Sequence, residues 1–130
     1  TTTRGSKIQY TKVYEMTATA YTLSAMKNRP PDHPLYGVTA SGMKVRVGIV
    51  AVDRKIIPLG TKLYIEYVGK DKNIKHYGFA IAADVGGFKG YHVDLYMNSI
   101  DECYKWGKRK VRVYVLRDKS VDIFKLRETA

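Results

Sequence analysis

The sequence predicts an all-β domain carrying one short helix. Apolar and polar residues alternate with period two over much of the chain, as in strands with one buried face. Eleven of the 130 residues are tyrosine, a side chain that suits half-buried pleated surfaces better than helices. Glycine and proline clusters interrupt the alternation at short intervals. At 14.8 kDa, with 45% hydrophobic and 27% charged residues, the chain is long enough for one ordinary core and short for two. Residues 13–130 are therefore expected to form one domain, and the polar 1–12 segment "TTTRGSKIQYTK" to be a linker or a truncated N-terminal remnant.

The first strand is "VYEMTATAY" at 13–21, where Tyr14, Met16, Ala18 and Ala20 alternate with Glu15, Thr17, Thr19 and Tyr21. Thr19 and Tyr21 then point away from the core. "NRPPDHP" at 28–34 is a loop, because proline removes backbone donors and fixes φ. After the turn-like "TASGM", the run "VGIVAVD" is apolar almost throughout and ends on Asp53, as a central strand covered on both faces would. Pro58 and Gly60 break it before "TKLYIEYV", which alternates again. The charged "GKDKNIKHYG" at 69–78 reads as an exposed hairpin excursion. "YGFAIAAD" is an apolar strand ending on Asp84, and "HVDLYM" sets Val93, Leu95 and Met97 against His92, Asp94 and Tyr96. "NSIDECYKWG" is the helix: Ser99 and Glu102 fit a capping box, Asp101 suits the positive end of the dipole, and Gly107 ends it. "KRKVRVYVL" returns to a strand, and "VDIFKL" at 121–126 is expected to be a last short one.

The formal net charge is +11, from 23 Lys and Arg against 12 Asp and Glu, so the surface attracts polyanions. The basic residues are scattered, with no recognition-helix run or basic arm; Tyr104, Lys105, Trp106, Lys108, Arg109 and Lys110 read better as a helix with a basic C-terminal end than as a nucleic-acid groove. Cys103 is the single cysteine, which rules out an internal disulfide and a thiolate metal cluster. No stretch approaches the roughly 18 consecutive apolar residues of a spanning helix. His33, His76 and His92 lack metal-ligand spacing, "VGGFKG" lacks the spacing of a phosphate loop, and no G-x-S-x-G elbow is present. No metal and no cofactor are expected.

Three aspartates stand at strand ends or beside turns: Asp53, Asp84 and Asp94. A buried carboxylate without a partner is driven toward its neutral form, so the Asp84 and Asp94 pair in an apolar stretch is either a structural clamp or acid chemistry. An aspartate after a strand commonly forms an Asx turn, the plain alternative for Asp53. For Asp84 the plain alternative is a carboxylate accepting from the Gly86 and Gly87 backbone; those glycines equally allow close approach to a ligand.

Taken in order, "TATAY" at 17–21, "TASG" at 39–42, "VAVD" with "IPLGTKLYI" at 50–65, "AADVGGFKG" at 82–90, "HVDLY" at 92–96 and "WGKRKVRVYVL" at 106–116 resemble the 3D domain. That family is named for three aspartates and includes the catalytic module of MltA-type lytic transglycosylases and stationary-phase cell-wall proteins of spore-forming bacteria. The resemblance implies a double-psi β-barrel of about six strands with the aspartates at one groove. It implies catalytic roles for Asp94, Asp84 and Asp53, with Asp94 as the acid, and a glycan groove lined by Thr19, Tyr21, Thr39, Ser41, Gly86, Gly87 and Lys89. Peptidoglycan glycan strands are the implied partner, with anionic wall polymers beside them, at a secreted or wall-associated location; nucleic acid is not expected. One departure is that Phe88 stands alone between Gly87 and Lys89 where the family more often has two residues.

Cleaving a β-1,4 glycosidic bond usually takes two carboxyl groups. A lytic transglycosylase needs one at the centre, because the C6 hydroxyl of N-acetylmuramic acid attacks C1 and a single carboxyl acts first as acid and then as base. Such an acid must keep its proton near neutral pH, which neighbouring carboxylates arrange by like-charge repulsion. Two other readings compete. A non-catalytic, expansin-like carbohydrate-binding barrel would use Tyr21, Tyr91 and Tyr96 for stacking. An aspartic protease would need a second copy of "DVGG", and the sequence has none.

Overall fold

The computed structural model describes residues 2–3, 6–23, 32–34, 36–86 and 89–129. Two short segments, β1 (Thr2–Thr3) and β2 (Ser6–Lys7), pair antiparallel ahead of the barrel. The barrel strands are β3 (Tyr10–Tyr21), β4 (Ile49–Val52), β5 (Lys62–Tyr67), β6 (Gly78–Val85), β7 (His92–Tyr96) and β8 (Arg109–Leu116). They close in the order β3-β7-β4-β6-β5-β8. The pairs β3/β7 and β4/β6 are parallel and the other four antiparallel, the double-psi arrangement. The first strand begins at Tyr10, three residues before the expected start. Residues 28–31 of the proline loop lie outside the described residues.

Period-two alternation fills the barrel. Met16 and Ala18 of β3, Val50 and Val52 of β4, Leu63 and Ile65 of β5, Ala80 and Ala82 of β6, Val93 and Leu95 of β7, and Val111 and Val113 of β8 form the main core. All four residues of β4 are buried, as its nearly unbroken apolar run requires. The helix α1 (Ile100–Trp106) has the expected caps: Ser99 Oγ accepts from Glu102 N–H at 3.2 Å, and Gly107 takes φ 66° at the C-terminus. Its last residue, Trp106, joins the core and donates from Nε1 to Ala18 O at 3.1 Å.

Residues 121–126 are not a strand. Ile123–Thr129 form a second helix, α2, so the described residues carry two short helices instead of the expected one. Asp122 decides this: its Oδ1 accepts from Phe124 N–H at 3.1 Å and Lys125 N–H at 3.3 Å, an N-cap that six residues of alternation do not reveal. Ile123 and Arg127, four apart, share one face of α2. Ile123 enters a second apolar cluster with Tyr64, Tyr114 and Leu116 on the outside of the barrel. Arg127 Nη1 donates to Tyr77 O at 2.8 Å and Phe79 O at 2.6 Å.

One buried side chain pins three strands at one end. The Tyr77 hydroxyl accepts from Gly48 N–H at 2.8 Å and donates to Tyr96 O at 2.7 Å. It thereby ties the entries of β4 and β6 to the exit of β7.

Candidate acid site on the outer face of the barrel

The register assembles the site. Ala51 of β4 pairs with Asp84 on its β6 side and with Asp94 on its β7 side, and Asp94 pairs in turn with Thr19 of β3. Asp84, Ala51, Asp94 and Thr19 form one row across four strands. Two strand spacings put the aspartate Cα atoms about 10 Å apart.

Strict alternation would have sent Asp84 inward with Ala80 and Ala82. The β4/β6 register shifts between Val50 and Ala51, so that Val50 faces Ala82 while Ala51 faces Asp84. Ala83 is the extra residue of a β-bulge, and bulges turn the following side chain to the other face. The doublet Ala82-Ala83 is the sequence signal that marks it, since it breaks the period immediately before the carboxylate. Ser41 N–H binds Ala83 O at 3.0 Å and Ala40 N–H binds Asp84 Oδ1 at 3.1 Å, so the 39–42 turn holds both the bulge and its carboxylate.

Asp94 is half-buried. Thr19 Oγ1 donates to Asp94 Oδ1 at 3.1 Å and lies 2.7 Å from His92 Nε2. Burial raises the Asp94 carboxyl above its usual range, the Thr19 bond opposes this, and the Asp84 charge adds to the rise. Tyr21 stands two residues beyond Thr19, with its ring edge-on to Tyr96 at 5.5 Å. Its hydroxyl is buried and has no hydrogen-bond partner among the described residues. Burial, followed by the charges of Asp84, Tyr77 and Asp94, pushes this phenol up, so it keeps its hydrogen.

Asp53 is held differently. Its Oδ2 accepts from Gly90 N–H at 2.8 Å and its Oδ1 from Lys55 N–H at 3.0 Å. These two bonds lower its carboxyl, with Lys55 and Lys89 adding their charge. The Lys55 bond is the Asx turn, and the Gly90 bond clamps the entry to β7. The forces raising Asp94 are its burial and Asp84, with no contribution from Asp53 among them.

The remaining expected groove residues fall into three groups. Thr19 and Tyr21 touch or face the acid. Thr39 is buried, with Oγ1 3.0 Å from Oγ of the exposed Ser41, and the two brace the turn that carries Ala40. Lys89 is exposed on the Asp53 side, and Gly86 N–H goes to Val52 O at 3.4 Å, not to Asp84. Gly87 and Phe88, and with them the shortened turn, lie outside the described residues. Tyr96 is buried and unavailable for stacking on a sugar, whereas Tyr91 is 60% exposed. Cavities of about 370, 450 and 230 Å³ open elsewhere on the barrel, and neither Asp84 nor Asp94 lines them.

Fold and site together define a small closed β-barrel with a pair of carboxyl groups, Asp84 and Asp94, on its outer wall. The 3D domain matches residues 48–117, over half of the chain, and the protein belongs to that family. The cell wall-binding protein YocH of Bacillus subtilis (strain 168) is 37% identical over 110 residues, which span 81% of this chain and 33% of YocH. YabE of the same organism, named for cell wall shaping, is 33% identical over 110 residues, which cover 81% of this chain and 23% of YabE. Among solved structures, an apo form of an aspartate-to-alanine variant of the E. coli lytic transglycosylase MltA matches with TM-score 0.50 and 33% identity over 61% of this chain and 26% of that one. The chain thus spans a third or less of the length of these relatives.

Proposed function

We propose that the domain is a peptidoglycan lytic transglycosylase module. In this reading Asp94 protonates the glycosidic oxygen between N-acetylmuramic acid and N-acetylglucosamine as the C1–O bond breaks. It then takes the proton of the C6 hydroxyl as that oxygen bonds to C1, leaving a 1,6-anhydromuramyl end. No external water is consumed, so one carboxyl serves both steps. The observation that carries this is the Asp94 environment: a half-buried carboxyl, raised by its burial and by Asp84 across Ala51, with one hydroxyl in place to steady its anion. Asp84 has a second use in this reading, since its negative charge stabilises the positive charge that builds at C1.

The names of YocH, YabE and MltA support the cell wall as the place of action. The +11 charge supports it too, because wall peptide carboxylates and anionic wall polymers attract a basic surface in a salt-dependent way. A second reading, glycan binding without cleavage, is favoured by the exposed ring of Tyr91.

Mass spectrometry of purified peptidoglycan after incubation with the wild type and with Asp94→Asn separates the two. The transglycosylase reading expects muropeptides one water lighter than hydrolysis products, absent with the variant. Unchanged peptidoglycan with retained wall binding establishes the binding reading instead.

A further inference from the structure

His92 is not needed by the reaction just described, yet its Nε2 lies 2.7 Å from the oxygen that also bonds Asp94. The Thr19 hydroxyl has a single hydrogen and stands between two groups that each exchange a proton. We propose that His92 and Asp94 share one proton through Thr19 Oγ1, making His92 a positioning residue that sets the charge state of the acid.

The hydrogen-bond inventory allows two arrangements. In the first, Nε2–H donates to Oγ1 and the hydroxyl donates to the Asp94 carboxylate. In the second, protonated Asp94 donates to Oγ1 and the hydroxyl donates to a bare Nε2. Passing between them moves the Nε2 proton to Oγ1 while the Oγ1 hydrogen moves to Oδ1. An imidazolium and a carboxylate become an imidazole and a carboxylic acid, and the sum of charges stays zero.

The surroundings favour the uncharged pair. Burial and then the Lys108 charge push His92 toward its neutral form, while burial and Asp84 do the same for Asp94. Groups that face the trio among the described residues can be named. β3 presents Thr17, paired with His92, and Tyr21, paired with Tyr96 of β7; β8 presents Lys110, paired with Thr17; β6 supplies Asp84. From α1, Cys103 and Glu102 approach; burial, and then the charges of Asp94 and Glu102, push up the Cys103 thiol. The Asp84 charge works against an ionised Asp94 and the Lys108 charge against a cationic His92. Both move the shared proton toward Asp94.

This inference rests on Asp94 being the acid, but its test does not require glycan cleavage. The ¹³C shift of the Asp94 side-chain carboxyl, assigned against Asp94→Asn, is followed from about pH 3 to about pH 9, a span covering ordinary Asp and His titration. Four folded proteins are compared: wild type, His92→Gln, Thr19→Val and Thr19→Ser. The expected wild-type curve has two steps, one coincident with the His92 imidazole. His92→Gln removes that step, Thr19→Val removes it and raises the remaining midpoint because the carboxylate loses a donor, and Thr19→Ser preserves both steps. An Asp94 curve with one step, unmoved by His92→Gln and Thr19→Val, overturns the proposal even if peptidoglycan is cleaved. Coupled curves without any cleavage leave the proton sharing intact and overturn the transglycosylase reading instead.

Discussion

Replacing Tyr77 with phenylalanine removes one oxygen and leaves the ring in place. That oxygen sits at the junction of three strands, where it accepts from Gly48 N–H at 2.8 Å and donates to Tyr96 O at 2.7 Å, with Ile49 O a longer 3.4 Å away. In Tyr77→Phe the Gly48 donor and the Tyr96 acceptor lose this partner, and each buried group left unsatisfied costs about 1–3 kcal/mol. The low end, about 2 kcal/mol for the two, is set against an unfolding entropy of about 0.27 kcal/mol/K for 130 residues, so Tm falls by at least about 7 °C. Thermal unfolding followed by far-UV circular dichroism at neutral pH reads this directly. Burial also holds the Tyr77 phenol well above its ordinary value, so the wild-type bonds persist across the working range of pH. A fall in Tm of less than about 2 °C, on that same entropy scale, would refute the view that this hydroxyl pins β4, β6 and β7 together.

Asp94 of β7 and Asp53 just after β4 should respond to pH with opposite signs. Asp94 has a raised carboxyl, so its folded form favours the proton; Asp94→Asn is expected to stabilise the fold at neutral pH, and the advantage to vanish below the ordinary value of 3.8 when denaturant midpoints are compared across pH. Asp53 has a lowered carboxyl, so its contribution is present above 3.8 and is lost as pH falls through the folded value. Asp53→Ala should therefore weaken the neutral protein and speed amide hydrogen exchange at Gly90 and Lys55, whose N–H groups lose their acceptor. Removal of the α2 cap by Asp122→Ala should cost about 1 kcal/mol, or about 4 °C in Tm; an unchanged melt would mean that α2 is held by its contacts with the barrel and not by the cap.

The amino-acid sequence by itself determined the strands, because a two-residue period with Met16, Ala18, Leu63, Ile65, Val93 and Leu95 on one side leaves one workable orientation for each segment. It also determined α1, whose Ser99 cap and Gly107 stop are local chemistry, and the family, whose motifs run in chain order. Asp94 was legible as an outward residue for the same reason of alternation. Local period and local caps stop there. Whether residues 121–126 became a strand or a helix depended on the Asp122 cap and on an outer apolar patch formed by Tyr64 and Tyr114, which are 50 residues apart in the chain. The partners of the Tyr77 hydroxyl, Gly48 N–H and Tyr96 O, lie 29 and 19 residues away in the chain. The row Asp84, Ala51, Asp94 and Thr19 needed two parallel pairings, one antiparallel pairing and a bulge at Ala83 that reverses the face of Asp84. Register between strands is set by how the closed barrel packs, and only the tertiary structure could bring the Thr19 hydroxyl of β3 within hydrogen-bond reach of the Asp94 carboxyl and the His92 imidazole of β7.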